Sequence, residues 1–198
     1  MNYKDLYLLR HGELVNSSKN IFNGQSDTEL TETGFNETIK WINFFRDKNI
    51  SIIISSDLKR TKIPAKIYSE KLWSKLIVLK ELREINAGKW EGLTYSEVMK
   101  NDNEYLQKRY RDPVNTPFPE GESLKDLKKR VIKCINKNLR DYSNILLIGH
   151  SGVIRVIILS LLKIPLKNFF KFQIDFASLT HLRVFDDGNV VLFFLNKT

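Results

Sequence analysis

Cysteine is almost absent from this chain: Cys134 is the only one among 198 residues. That excludes an intramolecular disulfide and fits a reducing compartment. Long apolar runs are missing too. The longest, Val153 to Leu162, is interrupted by Arg155 and is too short to cross a bilayer. Met1-Asn2-Tyr3-Lys4-Asp5 leads straight into an apolar strand with no signal-peptide pattern, so a cytoplasmic protein without a membrane partner is expected. Acidic residues are outnumbered, with 23 Asp and Glu against 32 Lys and Arg, for a net charge of +9. Such a surplus fits either nucleic-acid binding or a field that draws in a small anion. Much of it sits along one helix-like run, at Lys125, Lys128, Lys129, Lys133, Lys137 and Arg140, opposite an apolar stripe of Leu124, Leu127, Val131, Cys134 and Ile135. Aromatic residues are not interleaved with these cations as on a single-strand-binding surface. A solvated outer face, with no nucleic-acid partner, is the expectation, and the stripe makes Cys134 a core thiol.

What is present is an alternation of short apolar runs and helical periods. Strand-like runs lie near 5–10, 51–55, 76–79, 144–149, 178–185 and 190–195; helical stretches lie near 31–47, 58–72, 94–109, 122–140 and 151–162. This predicts an α/β protein, a three-layer α/β/α sandwich with a mostly parallel central sheet. Asp186-Asp187-Gly188-Asn189 is a hairpin turn between the last two strands, so one edge strand is expected to be antiparallel. Length and a hydrophobic content of 42% suit one domain over 1–198 with a sizeable core. The segment 105–121, with Pro113, Pro117 and Pro119, is the least regular, and no internal repeat is visible.

Chemistry concentrates where strands end. Leu6-Tyr7-Leu8-Leu9 stops on Arg10-His11-Gly12-Glu13, which places a permanent cation beside an imidazole at a strand's carboxyl end, where open α/β sheets bind ligands. A neutral histidine there can attack phosphorus while the guanidinium holds an anion. Ile145 to Ile148 repeats the design, stopping on Gly149-His150-Ser151-Gly152 before an apolar helix. Ile52-Ile53-Ile54-Ser55-Ser56 ends a third strand, with Asp57 as a candidate helix cap and Arg60 in the first helical turn. Finally, Glu81 to Gly92 has no period and reads as an irregular loop of the kind that carries function. Its Glu81, Glu84 and Glu91 are all candidates to give a leaving group its proton, and chemistry alone does not rank them. His181, mid-strand in Ser-Leu-Thr-His-Leu, reads as structural.

Together these segments resemble the histidine phosphatase superfamily, which includes cofactor-dependent phosphoglycerate mutases, fructose-2,6-bisphosphatases and α-ribazole phosphatases. Leu-Leu-Arg-His-Gly-Glu at 8–13 is similar to its signature, and Ser55-Ser56-Asp57-Leu58-Lys59-Arg60 to its Ser-Ser-x-Leu-x-Arg element. Leu82-Arg83-Glu84 through Trp90-Glu91-Gly92 resembles its acid loop, and Gly149-His150-Ser151-Gly152 its second histidine. Gly24-Gln25-Ser26-Asp27 with Leu30-Thr31-Glu32-Thr33-Gly34, and Pro119-Glu120-Gly121-Glu122-Ser123, fall in the expected order between them. One departure is Ser17, which stands where many members carry asparagine, with Asn16 one position earlier.

The resemblance implies a phosphoglycerate mutase-like fold with a substrate-covering insertion near 86–121, where Arg109, Tyr110 and Arg111 are candidate substrate contacts beside the reading of a solvated loop. It implies His11 as a nucleophile that becomes phosphohistidine, and Arg10, Arg60 and His150 as holders of the transferring group. Glu84 would be the acid and base; Ser151, Asn16 and Gln25 are candidate substrate contacts. No metal and no cofactor are implied. The activity implied is a phosphatase acting on a small anionic phosphomonoester such as α-ribazole 5′-phosphate or a sugar phosphate. Mutase-type phosphotransfer and a non-catalytic phosphate-binding module on the same fold are the alternatives. Phe169-Phe170-Lys171-Phe172 and the terminal strand are candidate surfaces for a homodimer.

Overall fold

Central strands read as unbroken apolar runs because both of their faces are covered. The computed structural model describes residues 3–138 and 142–198. Among them, β1 (Tyr3–Arg10), β2 (Ile52–Ser55), β3 (Lys75–Val78), β4 (Asn144–Gly149), β5 (Leu179–Phe185) and β6 (Val190–Lys197) form one sheet. Its order is β3-β2-β4-β1-β5-β6. The first four positions are parallel; β5 runs against β1, and β6 against β5. The expected antiparallel pairing is thus at one side of the sheet, with β5 the reversed strand and β6 the edge.

Alternation along each strand splits the core in two. Leu6, Leu8, Ile52, Ile54, Ile145 and Leu147 point to one face and pack with α6 (Leu124–Asn138) and α7 (Ser151–Leu161). Tyr7, Leu9, Ile53, Leu146 and Ile148 point to the other, toward α1 (Glu32–Ile39), α2 (Ile42–Phe45) and α3 (Lys59–Leu72). A third cluster, of Ala87, Trp90, Val98, Leu106 and Phe118, holds together the region near 86–121 with α4 (Tyr95–Asn101) and α5 (Asn103–Arg111). No helix among the described residues is long and apolar enough to cross a membrane.

Several boundaries differ from the sequence expectation. The stretch 31–47 is two helices, with Lys40 and Trp41 between them. The stretch 94–109 breaks at Asp102, whose backbone leaves the helical region while its carboxylate accepts from Trp90 Nε1 at 3.1 Å. α5 runs on to Arg111, so the segment from 105 is not irregular until Asp112, where Pro113 disfavours helical geometry in the residue before it. In α6 the stripe Leu124, Leu127, Val131, Cys134 and Ile135 is buried, while Lys125, Lys129, Lys133 and Lys137 are exposed and Lys128 is half-buried; Arg140 lies outside the described residues. Asp57 does not cap α3. It forms a two-toothed ion pair with Arg83 at 2.6 Å for each bond, and Asp27 accepts instead from the Lys59 N–H at 2.7 Å. A paired guanidinium is the stronger partner for that carboxylate. His181 bridges to Asp5 at 2.9 Å and stacks between Tyr7 and Phe193, far along the strand from the two strand-end histidines.

The Leu-Thr-Glu-Thr-Gly stretch is explained by packing at the start of α1. Thr31 Oγ1 accepts from the Gly34 N–H at 2.9 Å, capping the helix. Gly34 lies so close to the loop after β1 that a Cβ there would collide with the backbone of Glu13. Glycine-to-alanine changes inside helices ordinarily stabilise by about 1 kcal/mol. Gly34→Ala is instead expected to destabilise by roughly 1–3 kcal/mol, and a raised denaturant midpoint would contradict the packing.

Candidate active site

The β1–β4 register is what builds the site. Arg10 pairs with Gly149, so the next residue on each strand is a histidine. The His11 N–H continues the ladder to the Gly149 carbonyl at 3.0 Å, and the two imidazole centroids lie 5.3 Å apart, edge to face. β2 lies on the far side of β4, with Ser55 opposite Ile148, so Ser56 arrives beside His150.

Hydrogen bonds set the proton positions on both rings. His11 Nδ1 lies 2.8 Å from the Gly12 carbonyl, which can only accept. Nδ1 therefore carries the proton, and Nε2 keeps its lone pair. His150 Nδ1 accepts from Arg60 Nε at 3.3 Å, so its proton is on Nε2 and is donated to Ser56 Oγ at 2.9 Å. Ser56 Oγ lies 2.7 Å from Thr61 Oγ1, which reaches the Leu58 carbonyl at 3.1 Å and ends the chain.

Among the described residues neither site cation has a paired carboxylate; Arg60 is buried and Arg10 half-buried. Arg10 donates from Nη1 to the Ile174 carbonyl at 2.7 Å and lies 3.9 Å over the Phe176 ring. Its Nε is buried with no partner among the described residues. Burial pushes this guanidinium down to about 10. Arg60 donates to the carbonyls of Ser26 and Gly24 at 2.6 and 2.7 Å, and burial lowers it as well. An uncompensated buried cation is costly, and an oriented pair of them offers an anion a prepared place.

Of the three loop glutamates, Glu84 lines the cavity. Its carboxylate accepts from the Ile85 N–H at 2.9 Å and from the Gly152 N–H at the start of α7 at 3.0 Å. Glu91 is spent on a tether: it accepts from the N–H of Gln25 and the hydroxyl of Ser26, at 2.7 and 3.0 Å. Glu81 is exposed. Behind the loop, Arg130 donates to the carbonyls of Glu81, Arg83 and Glu84 and is held by Glu122 at 2.6 Å. The Gly-Glu-Ser motif thus supplies the clamp's carboxylate, and its Ser123 caps α6 reciprocally with Asp126.

A cavity of about 330 Å³ opens over these groups. Arg10, His11, Arg60, Glu84 and Ser151 reach its wall. His150 is completely buried behind His11. Asn16 and Gln25 do not line the cavity, because their amides are used elsewhere. Asn16 Nδ2 donates to Asn23 at 2.7 Å, and Gln25 Nε2 to the Glu84 carbonyl at 3.2 Å. Ser17 accepts from the Leu14 N–H at 2.9 Å and closes the turn. Arg109 and Tyr110 also line the cavity; Arg109 is held by the Thr116 carbonyl at 2.6 Å and stacks 3.6 Å from the Phe118 ring centroid, while Arg111 is exposed. Sequence reasoning gave no site role to Asn23, Arg130, Arg155, Phe169, Phe170 and Phe176: Asn23 and Arg155 stand just outside the 24–27 and 149–152 stretches, Phe169 and Phe170 read as a dimer surface, and Arg130 and Phe176 fall in segments without a motif. Among the described residues, no group of three or more His, Cys, Asp or Glu is placed to hold a metal ion.

The sequence profile of the histidine phosphatase superfamily (branch 1) matches residues 6–197. The chain belongs to this superfamily. A Hydrogenobacter thermophilus protein named "Putative phosphoserine phosphatase 2" is 30% identical over 195 residues, covering 98% of this chain and 96% of the relative. Among solved structures, the α-ribazole phosphatase from Shigella flexneri superposes with a TM-score of 0.89 at 23% identity, over 98% of this chain and 96% of the other. A mycobacterial glucosyl-3-phosphoglycerate phosphatase superposes with a TM-score of 0.87 at 24% identity over 100% of both chains. The fold is shared with both.

In this histidine phosphatase both site imidazoles are held neutral. Burial first, then the Arg10 and Arg60 cations, keep His11 well below the ordinary 6.5. Burial, then Arg60, does the same for His150. In the unfolded chain each ring gains a proton as pH falls through about 6.5, whereas the folded chain resists until much lower pH. The unfolded state binds more protons in that window, so stability is present above it and is lost as pH falls. Thermal midpoints are expected to decline as pH is lowered from about 7 toward 5, with a smaller decline in His150→Asn; a flat wild-type profile would contradict this.

Gly152 has a separate role. A Cβ there would run into the Glu84 carboxylate. Gly152→Ala is expected to lower turnover by about tenfold or more through misplacement of that group, with little change in thermal midpoint. Wild-type turnover would show that Glu84 does not need this position.

Proposed function

We propose that the protein hydrolyses a small phosphomonoester through a phosphohistidine on His11. The single observation that carries this reading is a neutral imidazole with its free Nε2 beside two guanidinium groups, one buried and one half-buried, that have no carboxylate partner among the described residues. His11 Nε2 attacks phosphorus, the N–P bond forms as the P–O ester bond breaks, and the Glu84 carboxyl gives its proton to the departing oxygen. Water then attacks the phosphohistidine, Glu84 takes the water's proton, and inorganic phosphate leaves with His11 restored. Arg10 and Arg60 stabilise the charge on the transferring oxygens. His150 backs this cradle by holding Arg60 Nε and packing on His11.

Support for a hydrolase of organic esters also comes from the cavity wall, where Leu14, Ile21, Phe22, Ile85, Phe118 and Phe176 surround the polar floor. An alcohol half would displace water from these surfaces and leave room for the one attacking water. α-Ribazole 5′-phosphate and sugar phosphates are the substrates we put forward first.

The test is phosphate release from a panel of phosphomonoesters with EDTA present. His11→Ala is expected to abolish release, and acid quench of wild type to trap an acid-labile phosphoenzyme. Glu84→Gln should slow esters of poor leaving groups by roughly 10²-fold or more while slowing p-nitrophenyl phosphate much less. Wild-type activity in His11→Ala would overturn the mechanism. Inactivity of the wild type across the panel would favour a phosphate-binding module.

A further inference from the structure

Arg155 is a cavity cation that this mechanism does not use. It follows Ser151 by four residues on α7, so it stands one turn along the same helix face, and it lines the cavity beside Phe169 and Phe170. Its Nε donates to the Phe172 carbonyl at 2.8 Å, and its guanidinium lies 5.4 Å from the Phe169 ring centroid. These contacts aim the group. Among the described residues no carboxylate forms an ion pair with it; Glu84 and Asp175 attract it only from a distance.

A partly buried guanidinium without a counter-ion calls for an anion from outside. The transferring phosphoryl group already has Arg10 and Arg60. The wall beside Arg155 is largely aromatic, so an anion held there would arrive on a ligand whose body fills the cavity. The free Nη groups present the planar fork that suits a carboxylate or phosphate.

We propose that Arg155 determines specificity by binding a second anionic group, a carboxylate or a phosphate, on the alcohol half of the substrate. The proposal rests on the phosphomonoesterase reading above. Among the substrates put forward above it favours bisphosphates and phosphorylated sugar acids over monophosphate esters of neutral alcohols such as α-ribazole 5′-phosphate.

Matched pairs test it. 3-Phosphoglycerate against glycerol 3-phosphate isolates the carboxylate, and fructose 1,6-bisphosphate against fructose 6-phosphate isolates the second phosphate. Wild type is expected to prefer the doubly anionic member of at least one pair, and the pair that shows it names the anion. Arg155→Leu should reduce kcat/KM for that member by roughly 10- to 100-fold, mainly through KM, and leave its neutral counterpart within about twofold. Arg155→Lys should recover part of the preference and guards against a folding defect in the leucine variant. Equal losses for both members would place Arg155 on the transferring group and overturn the proposal, as would no change in either. Hydrolysis of both members without preference by wild type, or of neither while other esters of the panel are cleaved, would remove Arg155's role alone; inactivity across the whole panel would remove the phosphatase reading with it.

Discussion

The parallel register between β1 and β4 is the constraint from which the rest of the site follows. Pairing Arg10 with Gly149 puts His11 and His150 at the same level where the sheet ends. A slip of one residue would turn each strand's apolar set to the opposite face, exchanging the residues that belong under α6 and α7 with those under α1 to α3. The two cores therefore lock the register, and the register places the imidazoles. Packing far from the chemistry decides the chemistry's geometry.

Around this pair the protein concentrates positive charge and uses backbone to hold it. Arg10 and Arg60 are oriented by the carbonyls of Ile174, Ser26 and Gly24 rather than by carboxylates. Carbonyl dipoles direct a guanidinium without neutralising it, so its charge remains available to a ligand. The same cations, together with burial, keep His11 neutral and its Nε2 unprotonated. One electrostatic arrangement thus serves both partners of the proposed attack. Carboxylates are kept for the next layer, where Asp57 holds Arg83, Glu122 holds Arg130 and Glu91 ties down the 24–26 loop. These ties fix the backbone on which Glu84 stands.

Much of this was legible in the chain. The apolar runs and their alternation with helical periods named the strands, the layers and the mostly parallel sheet, because both signals are local and periodic. Strand ends carrying Arg-His-Gly and Gly-His-Ser-Gly pointed to the candidate site for the same reason. Local pattern failed where a side chain had a distant partner. Asp57 looked like a cap until Arg83 competed for it, and Gln25 and Asn16 looked like ligand contacts until the Glu84 carbonyl and Asn23 took their amides. The break at Asp102 follows from its bond to Trp90 Nε1 across an aromatic cluster that no short window contains.

By itself, then, the sequence determined the fold class and set Arg10, His11 and His150 at strand ends, since these are written in contiguous residues whose periodicity has direct physical meaning, while resemblance to known motifs pointed to the family. Only the tertiary structure put Glu84 on the cavity wall while leaving Glu91 in a tether and Glu81 exposed, assigned protons to the two imidazoles, placed His150 behind His11, and brought Arg155 into the cavity with Phe169 and Phe176. Those outcomes depend on which groups lie within about 3 Å of one another and which are shut off from water. Such distances are set by the packing of segments more than a hundred residues apart, as between Arg10 and Ile174, and no local pattern encodes them.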